Sequence, residues 1–417
     1  MFDVAVVCLV VTALLAYVNH RFIGLPSTIG VMAIALLLSF ALLGMDHLGI
    51  SRLHAYEVSL LESIDFSQVL MQGMLSVLLF AGALHVDLSE LRAFRWQVGI
   101  LAVVGTVVST LIVGFSVWIL VPMVGLSLPL SYCLVFGALI SPTDPIAVMG
   151  ILKSAGAPRS LELVISGESL FNDGVGVVLF SIILGTIALG ETPTFAHGAV
   201  LLAREAGGGL AFGLVLGYVT YRLLKSIDSY PEEVLLTLAA VLGGYALATR
   251  LHVSGPLAMV VTGLFIGNHG RALAMSDTTR EHVDMFWELL DAILNSVLFV
   301  LIGMEALIIA FSPSIFAAAA GAIAITLVAR LISVAAPVVV FKRAFGLPQG
   351  SWQVLTWGGL RGGISVALAL SLPIGPDRNL VLALTYAVVV FSILGQGLTI
   401  GAAVRRFTPC ARSASRH

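Results

Sequence analysis

Long apolar runs separated by short polar segments repeat along the whole chain. A helix that crosses a membrane needs about 20 mostly apolar residues, and runs near this length recur about thirteen times. Because a spanning segment must satisfy its own backbone polar groups, we expect each run to form an α-helix. The predicted spans are 2–18, 26–43, 67–86, 97–121, 130–152, 162–189, 197–221, 232–250, 254–270, 287–310, 314–341, 351–372 and 379–404. The pattern therefore predicts an all-α polytopic membrane protein.

The basic residues between the predicted spans are unevenly distributed. Alternate segments carry most of them, namely Arg21, Arg92, Arg95, Lys153, Arg159, Arg222, Lys225, Arg271, Arg280, Lys342 and Arg343, with Arg405, Arg406, Arg412 and Arg416 after the last span. On the other side lie Arg52, Arg204, Arg250 and Arg378. Cytoplasmic loops are rich in Lys and Arg, so we expect the first set of segments, including residues 405–417 after the last span, to be cytoplasmic. The N-terminus is then outside, residues 405–417 form a short cytoplasmic tail, and the chain crosses the cell (inner) membrane an odd number of times.

The first apolar run, Phe2–Val18, starts without a basic segment and ends without a small-residue cleavage site. It is therefore predicted to be a span and not a cleaved signal peptide. Hydrophobic residues make up 59% of the chain and charged residues 11%, against about 25% charged residues in soluble domains. The net charge of -2 gives no reason to expect a nucleic-acid partner. Three scattered cysteines provide neither metal-ligand spacing nor a disulfide framework.

Two of the predicted spans contain helix-breaking sequences. The fifth carries Ser141-Pro142-Thr143-Asp144-Pro145, and the twelfth carries Trp357-Gly358-Gly359-Leu360-Arg361-Gly362-Gly363. Proline removes helix hydrogen bonds and glycine permits unwinding. Interrupted spans at matching positions of two halves indicate a transporter with inverted repeats. We expect one transmembrane domain, with a first repeat at 2–189, a linking helix at 197–221 and a second repeat at 232–404.

Charged and polar residues also interrupt the apolar stretch Ile165–Phe180. Helical spacing places Ser169 in line with Asp173, and Glu168 in line with Asn172. Carboxylates within a span are costly, so a functional site is the default hypothesis for them. A guanidinium keeps its proton and needs a partner when buried. We therefore expect Arg330, deep in the eleventh span, to pair with Glu168.

These residues suit cation and proton exchange. Asp144 can neutralise helix N-termini, and Arg361 can neutralise C-terminal ends. A small cation prefers oxygen ligands, for which Asp173, Ser169, Asp144, Thr143 and a carbonyl freed near Thr143 are candidates. A carboxylate can hold either a proton or a cation, and removal from water favours its protonated form. The exchange needs no cofactor and no covalent step.

Together, Ser141–Pro145, Gly167–Asp173, Gly358–Gly363 and the stretch LLFAGALHVDL at 78–88 resemble the monovalent cation:proton antiporter family. These sodium/proton exchangers include a prokaryotic branch with an Asn-Asp pair. The resemblance implies a thirteen-span fold with a core bundle and a dimerisation bundle, a homodimeric assembly, and electroneutral exchange of Na+ or Li+ for H+.

The resemblance also implies individual roles. Asp173 would be the transport carboxylate, with Asn172 beside it and Ser169 in the ion shell. Thr143 and Asp144 would lie where the broken helices cross. The remaining implied roles are structural: Glu168 and Arg330 would form an ion pair that holds the core together, and Arg361 would be a compensating charge. One position departs from the pattern, since Ala81 stands where prokaryotic members often have glutamate.

Three alternatives to sodium/proton exchange remain open. Exchange of K+ for H+ would use the same ligands, because they do not fix a cavity size. An ion channel would need a filter, and the sequence contains no filter-like carbonyl motif. An intramembrane enzyme would need a nucleophile with its base or a metal site, but the chain lacks HExxH and offers Ser169 no histidine within its span. The sequence therefore favours a transporter over an enzyme.

Overall fold

The computed structural model describes residues 2–47, 73–189, 200, 203–305, 312–341 and 345–408, and among these residues all regular structure is helical. The helices are α1 (Phe2–Val18), α2 (Ser27–His47), α3 (Leu75–Leu84), α4 (Leu88–Arg92), α5 (Arg95–Met123), α6 (Leu130–Ile140), α7 (Ile146–Ser154), α8 (Arg159–Leu189), α9 (Ala203–Leu224), α10 (Tyr230–Arg250), α11 (Gly255–Phe265), α12 (Asp277–Glu305), α13 (Pro313–Val340), α14 (Ser351–Trp357), α15 (Gly363–Leu370) and α16 (Pro376–Phe407).

The predicted all-α membrane architecture is confirmed. Within the described residues, eight helices are long and apolar enough to cross a membrane, and three shorter apolar helices accompany them. Each of the thirteen predicted spans overlaps at least one observed helix. The start of the predicted third span, before residue 73, lies outside the described residues. The division into repeats at 2–189 and 232–404 stays a prediction.

Helix α12 differs most from its predicted boundaries. The apolar run predicts a span beginning at residue 287, but the helix begins at Asp277. Its first turns carry acidic residues on one face and buried side chains such as Val283 and Trp287 on another. An amphipathic segment of this kind has no continuous apolar run, although it still forms a helix that packs against its neighbours.

The two helix-breaking sequences interrupt their spans as predicted. α6 ends at Ile140 and α7 begins at Ile146, while α14 ends at Trp357 and α15 begins at Gly363. The two breaks meet, because the backbone N–H of Asp144 donates to the carbonyl of Leu360 at 2.8 Å. Non-helical backbone at membrane depth survives when protein groups satisfy it. Each break therefore supplies hydrogen-bonding partners to the other.

Glycines allow the helices around the first break to pack closely. A Cβ on Gly137 of α6 would collide with the backbone of α5 at Thr110, and one on Gly114 of α5 would collide with Leu134. Small residues at such contacts let helix backbones approach within a membrane. Helix α8 packs against α6 from another side, where Gly176 lies directly against Pro142. This packing holds the first break in a fixed position beside the polar residues of α8.

Candidate functional site

The polar segment of α8 lies near the middle of that helix. Asp173 is 14 residues after Arg159, or about 21 Å along an α-helix. Asn172 is fully buried, and Asp173 is 7% exposed. The side chains of Glu168 and Ser169 are also buried. Polar groups buried at this depth need partners within the protein.

Asn172 holds the first break through two hydrogen bonds with a single residue. Its Oδ1 accepts from the backbone N–H of Thr143 at 3.2 Å, and its Nδ2 donates to Thr143 Oγ1 at 2.9 Å. The same Thr143 hydroxyl lies 3.0 Å from Ser169 Oγ. The amide of Asn172 thus replaces helix hydrogen bonds that the chain loses between Pro142 and Pro145. It positions the neighbouring Asp144 relative to α8.

The Asp144 side chain meets the N-terminus of α15. A Cβ on Gly362, which caps this helix, would overlap the Asp144 carboxylate. Helix N-termini carry unsatisfied N–H groups and partial positive charge, which a carboxylate stabilises. Glycine at 362 is therefore required for this close approach.

Arg361 compensates the opposite kind of helix end. Its Nη1 donates to the carbonyl oxygens of Ser141 and Pro142, the latter at 2.8 Å, just beyond the C-terminus of α6. The side chain is 2% exposed, and its backbone N–H donates to Ser392 Oγ at 2.8 Å. The carbonyls of Ser141 and Pro142 are therefore occupied by Arg361, while the role of a carbonyl near Thr143 as a cation ligand stays a prediction.

Glu168 and Arg330 form a buried, bidentate ion pair. Arg330 Nη1 donates to Glu168 Oε1, and Nη2 donates to Oε2 at 2.9 Å. Nη2 also donates to the carbonyl of Leu355 in α14 at 3.1 Å. The pair therefore joins α8, α13 and the helix that leads into the second break. Because both side chains are at most 7% exposed, removal of either partner would leave a buried charge unpaired.

A cavity of about 90 Å³ brings Asp173 and Asp144 to one space. Apolar residues of α3 and α12, Ser166 and Asn295, and the first residues of α15 also line it. Ser169 and Thr143 are not among the lining residues, since their hydroxyls pair with each other instead. Among the described residues, no three His, Cys, Asp or Glu side chains come together in a form that would hold a metal ion. The cavity therefore offers two carboxylates and neutral oxygens, a ligand set suited to a transported monovalent cation or a proton.

Sequence reasoning missed Asn295. This residue is 2% exposed and lines the same cavity as Asp173. Its Nδ2 donates to the carbonyl of Asp291 at 2.9 Å; a carbonyl only accepts, so this bond fixes the amide orientation and leaves Oδ1 to accept. The available signal was the polar series Asp277, Glu281, Asp284, Glu288, Asp291 and Asn295. Its alternating spacing of four and three residues places one stripe along α12.

Two further residues lie on α3 and at its end. Asn268 Oδ1 accepts from the backbone N–H of Leu88, and its Nδ2 donates to the carbonyls of Val86 and Leu264. It therefore ties the end of α3 to α11. Ala81 is buried at 1% exposure in α3, and its methyl group brings no charge to that helix.

Comparisons with known proteins agree with this architecture. A family model described as the transmembrane sodium/hydrogen exchanger matches residues 10–406. The Na(+)/H(+) antiporter NhaP of Pseudomonas aeruginosa is 55% identical over 410 residues, covering 97% of each chain. The Na(+)/H(+) antiporter NhaH of Halobacillus dabanensis is 36% identical over 378 residues, covering 90% of this chain and 91% of its own.

A solved structure shares the fold. The sodium proton antiporter MjNhaP1 from Methanocaldococcus jannaschii at pH 8 matches with a TM-score of 0.75 and 21% identity, covering 96% of this chain and 97% of that one. The helical architecture, the two crossing breaks and the whole-length matches lead to one assignment. The chain belongs to the transmembrane sodium/hydrogen exchanger family.

Proposed function

We propose that this protein is a secondary antiporter that exchanges Na+ or Li+ for H+ without net charge movement. The observation that carries the proposal is the cavity where Asp173 meets Asp144 beside the crossing of two broken helices. The relatives named Na(+)/H(+) antiporters, which match nearly the whole chain, support the same activity. The substrates are the cation and the proton, and no cofactor takes part.

Asp173 is the carboxylate for which the proton and the cation compete. Two like charges that share a small, desolvated space cannot both remain uncompensated. Either a proton on Asp173 or a bound cation removes the conflict, so one excludes the other. Asp144 contributes the second negative charge to the cavity while its backbone fixes it to Leu360.

One-for-one exchange follows from the neutral partner beside Asp173. Asn172 carries no charge, and both ends of its amide are engaged with Thr143. Asp173 is then the residue on this turn of α8 that gains or loses a proton. One proton replaces one monovalent cation, and the charge of the loaded site is unchanged.

The remaining polar residues hold the site in place. Arg361 satisfies the carbonyls at the end of α6, and the Glu168–Arg330 pair joins α8 to α13. Ser169 supports Thr143 through its hydroxyl. In this proposal Ser169 and Thr143 also belong to the ion shell, which requires their hydroxyls to exchange their mutual hydrogen bond for the cation.

We further propose a homodimer in the cell membrane, with the N-terminus outside and the C-terminus in the cytoplasm. The distribution of basic residues between spans supports this orientation. Labelling of single cysteines placed at Arg92 and at Arg378 from each side of sealed vesicles tests the orientation. Native mass spectrometry of the purified protein tests the dimer, and a monomer alone would refute it.

Liposomes that contain the purified protein test the transport proposal. A preformed pH gradient is followed with a fluorescent dye while Na+, Li+ or K+ is added. We expect Na+ and Li+ to collapse the gradient, and Asp173→Asn to abolish the response while remaining folded. The control Asp277→Asn changes a carboxylate that is 99% exposed at the start of α12, and it keeps wild-type exchange.

Other outcomes separate the alternatives. A response to K+ alone would keep the site and overturn the choice of cation. A large cation current without proton movement would indicate a channel. Wild-type exchange by Asp173→Asn would remove Asp173 from the mechanism.

A further inference from the structure

A second cavity, far larger than the first, lies on another side of α8. This cleft has a volume of about 740 Å³ and runs between α5 and α8 on one wall and α9 and α11 on the other. Val103, Phe171, Leu210 and Leu257 are typical of its apolar lining. The carboxylates of the smaller cavity do not line it. Its chemistry therefore suits a hydrocarbon ligand and not the transported cation.

The length and opening of the cleft match an acyl chain. On α5 the lining extends from Arg95 to Val107, twelve residues that cover about 18 Å of helix. One leaflet contributes about half of the roughly 30 Å hydrocarbon core. Val103 is 49% exposed and Leu210 is 43% exposed, so the cleft borders the surface that faces lipid.

One end of the cleft is basic. Arg92 and Arg95 line that end, and both side chains are exposed. Trp96, which is 70% exposed, lies beside them, and exposed tryptophan is typical of the membrane–water interface. The basic end therefore lies where lipid headgroups are found.

The acidic residues near these arginines have other partners. Glu90 pairs with Arg159 at 2.7 Å. Asp87 accepts from the backbone N–H groups of Ser89 and Glu90, and these hydrogen bonds lower the pKa of Asp87. Among the described residues, no ion pair neutralises Arg92 or Arg95. Two guanidinium groups thus remain for an anion at the mouth of an apolar cleft.

We propose that this cleft binds an anionic phospholipid, with one acyl chain between α5 and α9 and the phosphate on Arg92 and Arg95. Guanidinium groups bind phosphate oxygens well, and basic pockets between membrane helices bind acidic headgroups. The acyl chain contacts Phe171 and Gly174, which flank Asn172 and Asp173 in the sequence. The lipid therefore packs against the segment of α8 that carries the transport carboxylate.

Gly99 provides a direct test of the acyl chain. This residue lines the cleft, and a Cβ at this position meets no atom within 4 Å. Gly99→Phe therefore adds a ring at the wall of the cleft, from a position where the Cβ meets no protein atom. Gly243 in α10 also has open space around its Cβ position and does not line the cleft. Gly243→Phe is the matched control.

A second pair of variants tests the headgroup. Arg92→Gln/Arg95→Gln removes the basic end of the cleft. Arg405→Gln/Arg406→Gln removes two exposed arginines elsewhere, one of which lies beside an aromatic ring as Arg95 does. Each arginine near an anionic headgroup is worth about 1 kcal/mol, so losing both corresponds to about 30-fold weaker binding.

Native mass spectrometry of the full chain measures bound lipid after incubation with phosphatidylglycerol, phosphatidylcholine or inorganic phosphate. We expect the wild type and both controls to retain phosphatidylglycerol over phosphatidylcholine, Gly99→Phe to lose both lipids, and the arginine variant to lose the preference. Equal retention of phosphatidylglycerol by Gly99→Phe and the wild type would overturn the proposal. So would equal binding of the two lipids by the wild type, or displacement of phosphatidylglycerol by inorganic phosphate. If Gly99→Phe fails to fold, Val103→Trp narrows the same cleft.

Discussion

The two helix breaks compensate each other but differ in what surrounds them. The break between α6 and α7 supplies Asp144 to the N-terminus of α15, and the break between α14 and α15 supplies Arg361 to the C-terminal end of α6. Of Asp144 and Arg361, only Asp144 also lines the cavity that contains Asp173. The second break instead adjoins the Glu168–Arg330 ion pair.

This difference indicates that the first break serves transport and the second break serves the stability of the fold. The first break is held by a neutral amide, Asn172, and presents a carboxylate to the cavity. The second break is enclosed by two buried guanidinium groups, of Arg330 and Arg361, which donate to the Glu168 carboxylate and to backbone carbonyls. Changes around the first break should therefore alter exchange, and changes around the second should alter folding.

The largest expected effect is on stability, from Arg330→Ala near the second break. It leaves the Glu168 carboxylate buried without its partner, which costs about 3–5 kcal/mol of unfolding free energy. The melting temperature in detergent should fall, while the folded fraction keeps the wild-type preference among Na+, Li+ and K+. The double variant Glu168→Leu/Arg330→Met replaces both charges by apolar groups and should recover much of the loss. An unchanged melting temperature in Arg330→Ala would show that the pair does not hold α8 to α13.

Asp144→Asn tests the first break. It removes a charge from the cavity but keeps a polar side chain at the N-terminus of α15 and the backbone hydrogen bond to Leu360. Loss of an interaction with a charged group is worth about 1.5–3 kcal/mol, so the apparent Na+ affinity should fall about 10- to 100-fold. Stability should change by less than about 1 kcal/mol, because the amide oxygen of Asn can still accept from the unsatisfied N–H groups at the N-terminus of α15. A variant that melts early but binds Na+ normally would reverse the comparison of the two breaks.

Asn172→Asp tests why the first break uses a neutral residue. The new carboxylate still accepts from Thr143, but it places a second titratable group beside Asp173. We expect exchange that responds to membrane potential, measured in liposomes with a K+ diffusion potential set by valinomycin. Asn172→Ala serves as the control: it loses two hydrogen bonds, costs about 1–3 kcal/mol in stability, and stays insensitive to potential. Insensitivity of Asn172→Asp would show that Asn172 does not set the stoichiometry.

The breaks themselves were predictable from sequence because proline and glycine act locally. Pro142 and Pro145 remove backbone hydrogen-bond donors whatever the tertiary structure. A charged Arg330 in the middle of a span needs an acidic partner whatever the arrangement of the helices. Two other features of the structure depend on tertiary packing. The occupation of the Ser141 and Pro142 carbonyls by Arg361, and the apolar cleft between four helices, depend on relative helix positions that no local pattern encodes.

Asn295 shows a different limit of sequence reasoning. The predicted span 287–310 contains only the last three members of the polar stripe, Glu288, Asp291 and Asn295, which are too few to define one face. The stripe becomes visible when the helix is extended back to Asp277. Its last member, Asn295, lines the cavity that contains Asp173 and Asp144.

The smallest expected effect comes from Asn295→Ala, which removes an amide oxygen from the cavity wall. A neutral hydrogen-bonding group contributes about 0.5–1.5 kcal/mol, so the KM for Na+ should rise about 2- to 10-fold with little change in maximal rate. The adjacent control Ser296→Ala removes a hydroxyl that donates to the carbonyl of Ala292, and it should leave the KM unchanged. An equal KM for Asn295→Ala and the wild type would show that α12 contributes no ligand, and that residues of α8 and the first break bind the cation. A raised KM would mean that α12 contributes a ligand, and that the site lies between the two helices.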